Sequence, residues 1–233
     1  MNPYKEFLVK IHFFHKVSAK ESKYLILLFV LAFLLLVSPF FRETYVAKLY
    51  FSFIITFFVA VGLYADIERK RIDYIELALG ILAFIFTWVD YAIAEKFSIV
   101  LTTQLIYALY FFYFTVELIA KIIITEKISA NLIYASIVGF LMLGLLGATL
   151  ASIIGLTFPN AYSISTNIGH YRFENYIYYS FISITTVGYG DMIPVQPAAK
   201  MLAIILCVSG HFYSTIIMSI IIGKYIGSIS KAK

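Results

Sequence analysis

The chain has 233 residues, of which 62% are hydrophobic and only 13% charged, and its mean hydropathy is +0.91. Soluble domains carry about 25% Asp, Glu, Lys and Arg, and a core of this length cannot hide so much apolar surface, so lipid has to solvate it. The net charge of +5 raises nucleic acid as a partner, but the placement of the basic residues accounts for that charge otherwise. A single cysteine, Cys207, excludes an internal disulfide and is silent on redox compartment.

The first 23 residues are basic and amphipathic, with Phe7, Leu8, Ile11, Phe13 and Phe14. They read as an interfacial helix on the inner leaflet, with a frayed tail as the alternative. Apolar runs follow at 24–41, 46–64, 75–94, 98–125, 131–158 and 198–222. A bilayer core of roughly 30 Å takes ~20 helical residues, so each run predicts a spanning helix. Between the fifth and sixth runs, residues 159–197 are more polar, and the segment 175–184 is too short to span.

With the N-terminus cytoplasmic, the inner segments hold thirteen basic residues: Lys5, Lys10, Lys16, Lys20, Lys23, Arg69, Lys70, Arg71, Lys121, Lys127, Lys224, Lys231 and Lys233. The outer ones hold five: Arg42, Lys48, Lys96, Arg172 and Lys200. This asymmetry predicts both termini inside and explains the basic character without nucleic acid.

The polar interval contains Thr185-Thr186-Val187-Gly188-Tyr189-Gly190-Asp191. A cation crossing a membrane must shed water, and carbonyl oxygens replace that water if they all point at one axis. An ordinary strand points successive carbonyls to opposite sides. Pointing them one way needs dihedrals of alternating hand, which Gly188 and Gly190 adopt at little steric cost. Thr186 can add its hydroxyl as a further ring of oxygens, while Val187 and Tyr189 face away from the axis and pack the strand. Irregular backbone at membrane depth is tolerated only where protein buries it or it lines a pore.

The heptad, preceded by a short aromatic helix and flanked by two spans, resembles the selectivity filter of potassium channels. The resemblance covers roughly residues 133–227; the first four spans match only the general six-span plan. It implies an all-α membrane protein with six transmembrane helices, and a re-entrant pore helix and filter between the fifth and sixth. It also implies tetrameric assembly, because one chain supplies one filter strand and an axial ring needs several. Potassium is then held at Thr186, Val187, Gly188 and Tyr189, with Gly190 completing the filter. By resemblance, Tyr178 and Tyr179 prop the filter from behind and bond near Tyr189 or Asp191; simple packing is the alternative. Pro194 fits the exit from the filter. Gly210 falls where the family's inner helix has a hinge glycine, though close packing is also open to it.

Helical spacing puts Ser214, Met218, Ile222 and Ile226 on one stripe of the sixth span. By resemblance the stripe faces the ion path, with Met218, Ile222 and Ile226 as an apolar constriction at its inner end. His211 is placed near the cavity just below the filter, either as a protonatable group there or as a neutral histidine bonded between helices. Glycines at 139, 144, 147 and 155 predict close helix contacts on the fifth span. Glu117 and Lys121 form an i, i+4 pair on the fourth.

Voltage-gated members repeat arginine along the fourth helix. Here that span has no arginine, Lys121 is its only cation, and Tyr107, Tyr110, Phe111, Phe112, Tyr113 and Phe114 fill it. The expected organisation is therefore a cytoplasmic segment at 1–23, a voltage-sensor-like four-helix bundle without gating charges at 24–127, and a pore domain at 128–233. The expected function is passive potassium flux, without catalysis and without a cofactor beyond the permeant ion, in the plasma (inner) membrane. Its partners are the lipid bilayer and the other subunits of a homotetramer. A secondary potassium transporter subunit and a non-conducting accessory subunit remain the alternatives.

Overall fold

The computed structural model describes residues 23–37, 44–67, 74–93, 96–126, 128–164 and 173–230. The expected interfacial segment lies outside the described residues, apart from Lys23. The described residues form seven helices and two short strands, in order: α1 (Lys23–Val37), α2 (Thr44–Ile67), α3 (Tyr74–Ala92), α4 (Phe97–Ile124), α5 (Ala130–Thr157), β1 (Tyr162–Ile164), α6 (Phe173–Ile184), β2 (Met192–Pro194) and α7 (Pro197–Ser230).

The described part of each apolar run is mainly helical, because in lipid internal hydrogen bonding satisfies the backbone. Among the described residues, four helices are long and apolar enough to cross a membrane: Tyr74–Ala92, Phe97–Ile124, Ala130–Thr157 and Pro197–Gly227. Helix α1, at 15 residues, spans about 22 Å. The predicted sixth span is too short at its inner end, since α7 continues from 222 to Ser230. Its sequence holds no proline after Pro197 to stop it. The strand pair also qualifies the all-α expectation. β1 runs antiparallel to β2, with Tyr162 opposite Pro194 and Ile164 opposite Met192.

Helix α5 is the hub, packed against α1, α4, α6 and α7. Lipid tails are as apolar as leucine, so burial alone does not join helices here; close approach does. Small residues stand among the buried positions around α5: Ala135, Gly139, Gly144, Gly147, Ala148, Ala151 and Ser152, beside the larger Leu132, Val138, Met142 and Leu145. Across the expected boundary at 127/128, α1 and α4 both pack against α5. Ser129 starts α5, its hydroxyl accepting from the Leu132 N–H at 3.3 Å.

The aromatic residues of α4 point partly inward. Phe58 of α2 meets the rings of Tyr110, Phe111 and Phe114, with centroids 5.5–6.4 Å away. The Thr87 and Tyr107 hydroxyls are 2.6 Å apart between α3 and α4. Trp88 Nε1 donates to Thr56 Oγ1 at 3.2 Å, joining α3 to α2. Phe112, by contrast, stays exposed. Lys121 is ion-paired with Glu117, as the i, i+4 spacing predicts.

Candidate functional site

Helix α6 ends at Ile184, and the chain reverses at once. Thr185 N–H donates to Phe181 O at 3.1 Å, and Thr186 N–H to Ser183 O at 3.0 Å. The N–H groups of Val187 and Gly188 both reach Ile182 O, at 3.0 and 3.2 Å. The carbonyls that α6 leaves open at its C-terminus are thus taken up by the segment that follows, which fastens that segment to the helix end.

Beyond the reversal, Thr186, Gly188 and Gly190 have φ of 60°, 55° and 81°. Every second residue is left-handed, the alternation expected of a backbone that aims its carbonyls to one side. The two glycines take the conformation that their sequence position predicts; Thr186, which carries a side chain, joins them unexpectedly. Such a residue costs on the order of 1–2 kcal/mol there, and the Thr186 N–H bond to Ser183 helps to hold it. A Cβ added at Gly188 or Gly190 would meet nothing within 4 Å, so backbone hand and not space accounts for both glycines. Val187 and Tyr189 are 53% and 74% exposed, so within this chain they do not pack the strand as expected.

The outer end of the segment is anchored twice. Tyr178 donates its hydroxyl to Asp191 Oδ2 at 2.7 Å, and Asp191 Oδ1 accepts from the Met192 N–H at 3.1 Å. The aromatic pair divides: Tyr178 reaches Asp191, whereas Tyr179 is buried with its ring 5.0 Å from that of Tyr162. Adjacent helical residues differ by about 100° in direction, so the two could not share one partner. Pro194 lies in β2, and Ala161 O accepts from Val195 N–H at 2.9 Å, tying the exit to the strand before α6.

Helices α5 and α7 seat α6. Ser180 Oγ donates to Gly144 O at 2.7 Å. Side chains occupy the places where Cβ atoms would stand on α5: Tyr213 at Gly139, Phe181 at Gly144, Ser180 and Leu206 at Gly147, and Tyr176 at Gly155. The predicted close contacts of those four glycines are all present.

On α7, a Cβ at Gly210 would run into the Ile184 carbonyl oxygen and lie 2.7 Å from its carbon. The helix passes through Gly210 unbroken. In this conformation the expected hinge glycine is therefore a contact glycine, which lets α7 lie against the end of α6. Ser214, Met218, Ile222 and Ile226 are all exposed on one stripe, while Tyr213 and Ile217 on another face are buried. The side chain of His211 is exposed as well, and the hydrogen bond from Thr215 goes to its backbone carbonyl. Among the described residues, no group of three or more His, Cys, Asp or Glu is placed to hold a metal ion.

Sequence reasoning missed the β1–β2 tie, the Ser180 bond to Gly144 and the bonds from Lys224 Nζ to the carbonyl oxygens of Ile122, Ile123 and Thr125. Three-residue strands and a single lysine give no periodic signal that could have found them.

Residues 140–226 match a family model described as "Ion channel". The matched stretch begins in α5 and ends in α7, and so contains α6 and the whole alternating segment. No curated protein and no solved structure matches the chain. The match to an ion channel domain over residues 140–226, together with the apolar helices that carry it, supports a membrane protein with an ion channel domain.

Proposed function

We propose that the chain is one subunit of a potassium-selective channel, with six spans, both termini cytoplasmic, and passive conduction through a fourfold axial pore in the plasma (inner) membrane. The observation that carries this reading is the alternation of backbone hand at Thr186, Gly188 and Gly190 directly beyond α6. With φ alternating in this way, the oxygens of 186–190 can form successive rings only when several chains face one axis. The exposed Val187 and Tyr189 side chains are then covered by neighbouring subunits, and the exposed stripe Ser214, Met218, Ile222 and Ile226 lines the cavity and its inner constriction. Tyr178 and Asp191 brace the filter at its outer end. Flux into liposomes holding the purified protein tests the reading. Potassium is expected to pass far better than sodium, barium to block, and native mass spectrometry to give four subunits. Equal permeability to the two ions overturns selectivity, and a conducting monomer or dimer overturns the architecture.

Gating follows from the same residues. Moving one elementary charge through the field supplies ~2.3 kcal/mol per 100 mV, so steep voltage dependence needs several charges per subunit. Helix α4 carries one cation, Lys121, ion-paired with Glu117 a turn away and close to the end of the helix. A compensated charge there crosses little of the field. The conductance–voltage curve in symmetrical potassium is therefore expected to be shallow, and equally shallow in Lys121→Gln. A steep curve that flattens in the variant would show that α4 senses voltage.

A further inference from the structure

Helix α4 is 28 residues long; the Thr125 N–H and hydroxyl both donate to Lys121 O, and the carbonyls that follow have no i+4 donor within the helix. The negative pole of the helix dipole lies at that end. A side chain from about a hundred residues away meets those carbonyls. Lys224 of α7 donates its Nζ to the carbonyl oxygens of Ile122 at 2.5 Å, Thr125 at 2.6 Å and Ile123 at 3.0 Å. An ammonium has three N–H donors, and all three are used. The charge meets the pole it complements, and the bonds are charge-assisted.

The register of α7 gives this cap a direction. Lys224 lies two residues after Ile222 and two before Ile226, which at about 100° per residue puts it on roughly the opposite face from both. One turn of helix therefore carries the apolar stripe on one side and the bond to α4 on the other. The flanking Gly223 and Gly227 have open space where a Cβ would stand, so side-chain packing does not brace the helix at either position, and glycine loosens it relative to alanine. The connection from α4 to α5 is only residues 125–129, too short to hold a separate lever helix between them. Lys224 is thus a direct mechanical tie between the end of the first four helices and the inner end of α7.

We propose that Lys224 is a positioning residue of the inner gate: its ammonium, capping the C-terminus of α4, holds the inner end of α7 outward, so that Met218, Ile222 and Ile226 are kept from closing on the axis. The proposal rests on the channel reading above, because it takes the stripe to face the ion path. The pull points away from the stripe, so breaking the tie favours constriction. The bundle then controls the gate through the position of the end of α4 and not through a charge moving in the field.

The test uses the full chain in planar bilayers and liposomes. Lys224→Met keeps the length of the apolar stem and removes every donor; Lys224→Arg keeps the charge and the donors. Lys224→Met is expected to lower open probability about ten-fold or more, the order that a lost charged helix cap supports, with unitary conductance and potassium-over-sodium selectivity unchanged. Lys224→Arg is expected to retain most of the open probability. Unchanged or raised open probability in Lys224→Met overturns the proposal, as does equal loss in both variants, which would mark the stem and not the cap. A second readout does not depend on conduction: Ile226→Cys is oxidised, and pairing across subunits is followed with and without Lys224→Met. Faster pairing in the double variant supports the outward tie, and an unchanged rate overturns it. A wild-type protein that passes no ion would overturn the channel reading alone, leaving the pairing assay to decide the tie. Where Lys224→Met does not assemble, Lys224→Gln, whose amide retains part of the cap, is measured in both assays. Lower open probability and faster pairing again support the tie, and no change in either overturns it.

Discussion

Replacing Gly188 by alanine is expected to abolish potassium-selective conduction while leaving assembly intact. Gly188 has a φ of 55°, and an added Cβ would touch nothing within 4 Å, so the substitution introduces no clash and removes no contact. What it changes is the preferred hand of the backbone. A left-handed residue with a side chain costs about 1–2 kcal/mol more than glycine, and in the proposed tetramer every subunit would contribute the same penalty to one ring of carbonyls. The cheapest relaxation is a flip of the peptide, which turns an oxygen away from the axis and breaks the ring. Thr186 shows that one such residue is tolerated, at the position where its N–H is tied to Ser183 next to the helix end. Gly188 is the next left-handed position along the chain, where alanine would add a second strained residue to the alternation. The permeability ratio of potassium to sodium and the native mass are the two measurements. Loss of selectivity with unchanged mass is expected, and a selective Gly188→Ala channel would mean that the alternation is not what selects the ion.

Gly210→Ala is expected to destabilise the assembled protein, and the sign comes from two opposing magnitudes. Alanine in a helix interior gains about 1 kcal/mol over glycine, which favours the substitution if Gly210 is only a point of flexibility. Against it stands the Ile184 carbonyl, which a Cβ would overlap. Overpacking a filled site costs typically about 1–3 kcal/mol when side chains can give. Here the obstacle is backbone, and it belongs to the residue that ends α6 and precedes Thr185. Separation of α7 from α6 would disturb the filter base as well as the helix contact. Thermal unfolding in detergent is therefore expected to fall by several degrees, with selectivity impaired. A variant of wild-type or greater stability, with a normal filter and altered opening only, would return Gly210 to the role of a hinge.

The helices and the segment of alternating backbone hand beyond α6 were legible because their causes are local. Lipid makes every spanning segment predominantly apolar, so charges such as Lys96 and the cluster at 69–71 delimit the runs, and α3, α4, α5 and the start of α7 lie within one or two residues of their predicted limits. The left-handed positions beyond α6 were legible in part, because backbone of alternating hand leaves its mark as Gly188 and Gly190. Tertiary structure alone decided the rest. A glycine reads the same whether it bends a helix or admits a neighbour, and only the Ile184 carbonyl beside Gly210 separates the two. Tyr178 and Tyr179 are chemically alike, and it is the phase of α6 that sends one to Asp191 and the other to Tyr162. The three-residue strands carry no pattern of their own and exist because the chain brings 162–164 beside 192–194. Lys224 counted as one more cytoplasmic charge in the sequence. Its partners are backbone carbonyls about a hundred residues away, groups that every residue possesses and no side-chain pattern reveals, so only the packing of α7 beside the end of α4 could identify them.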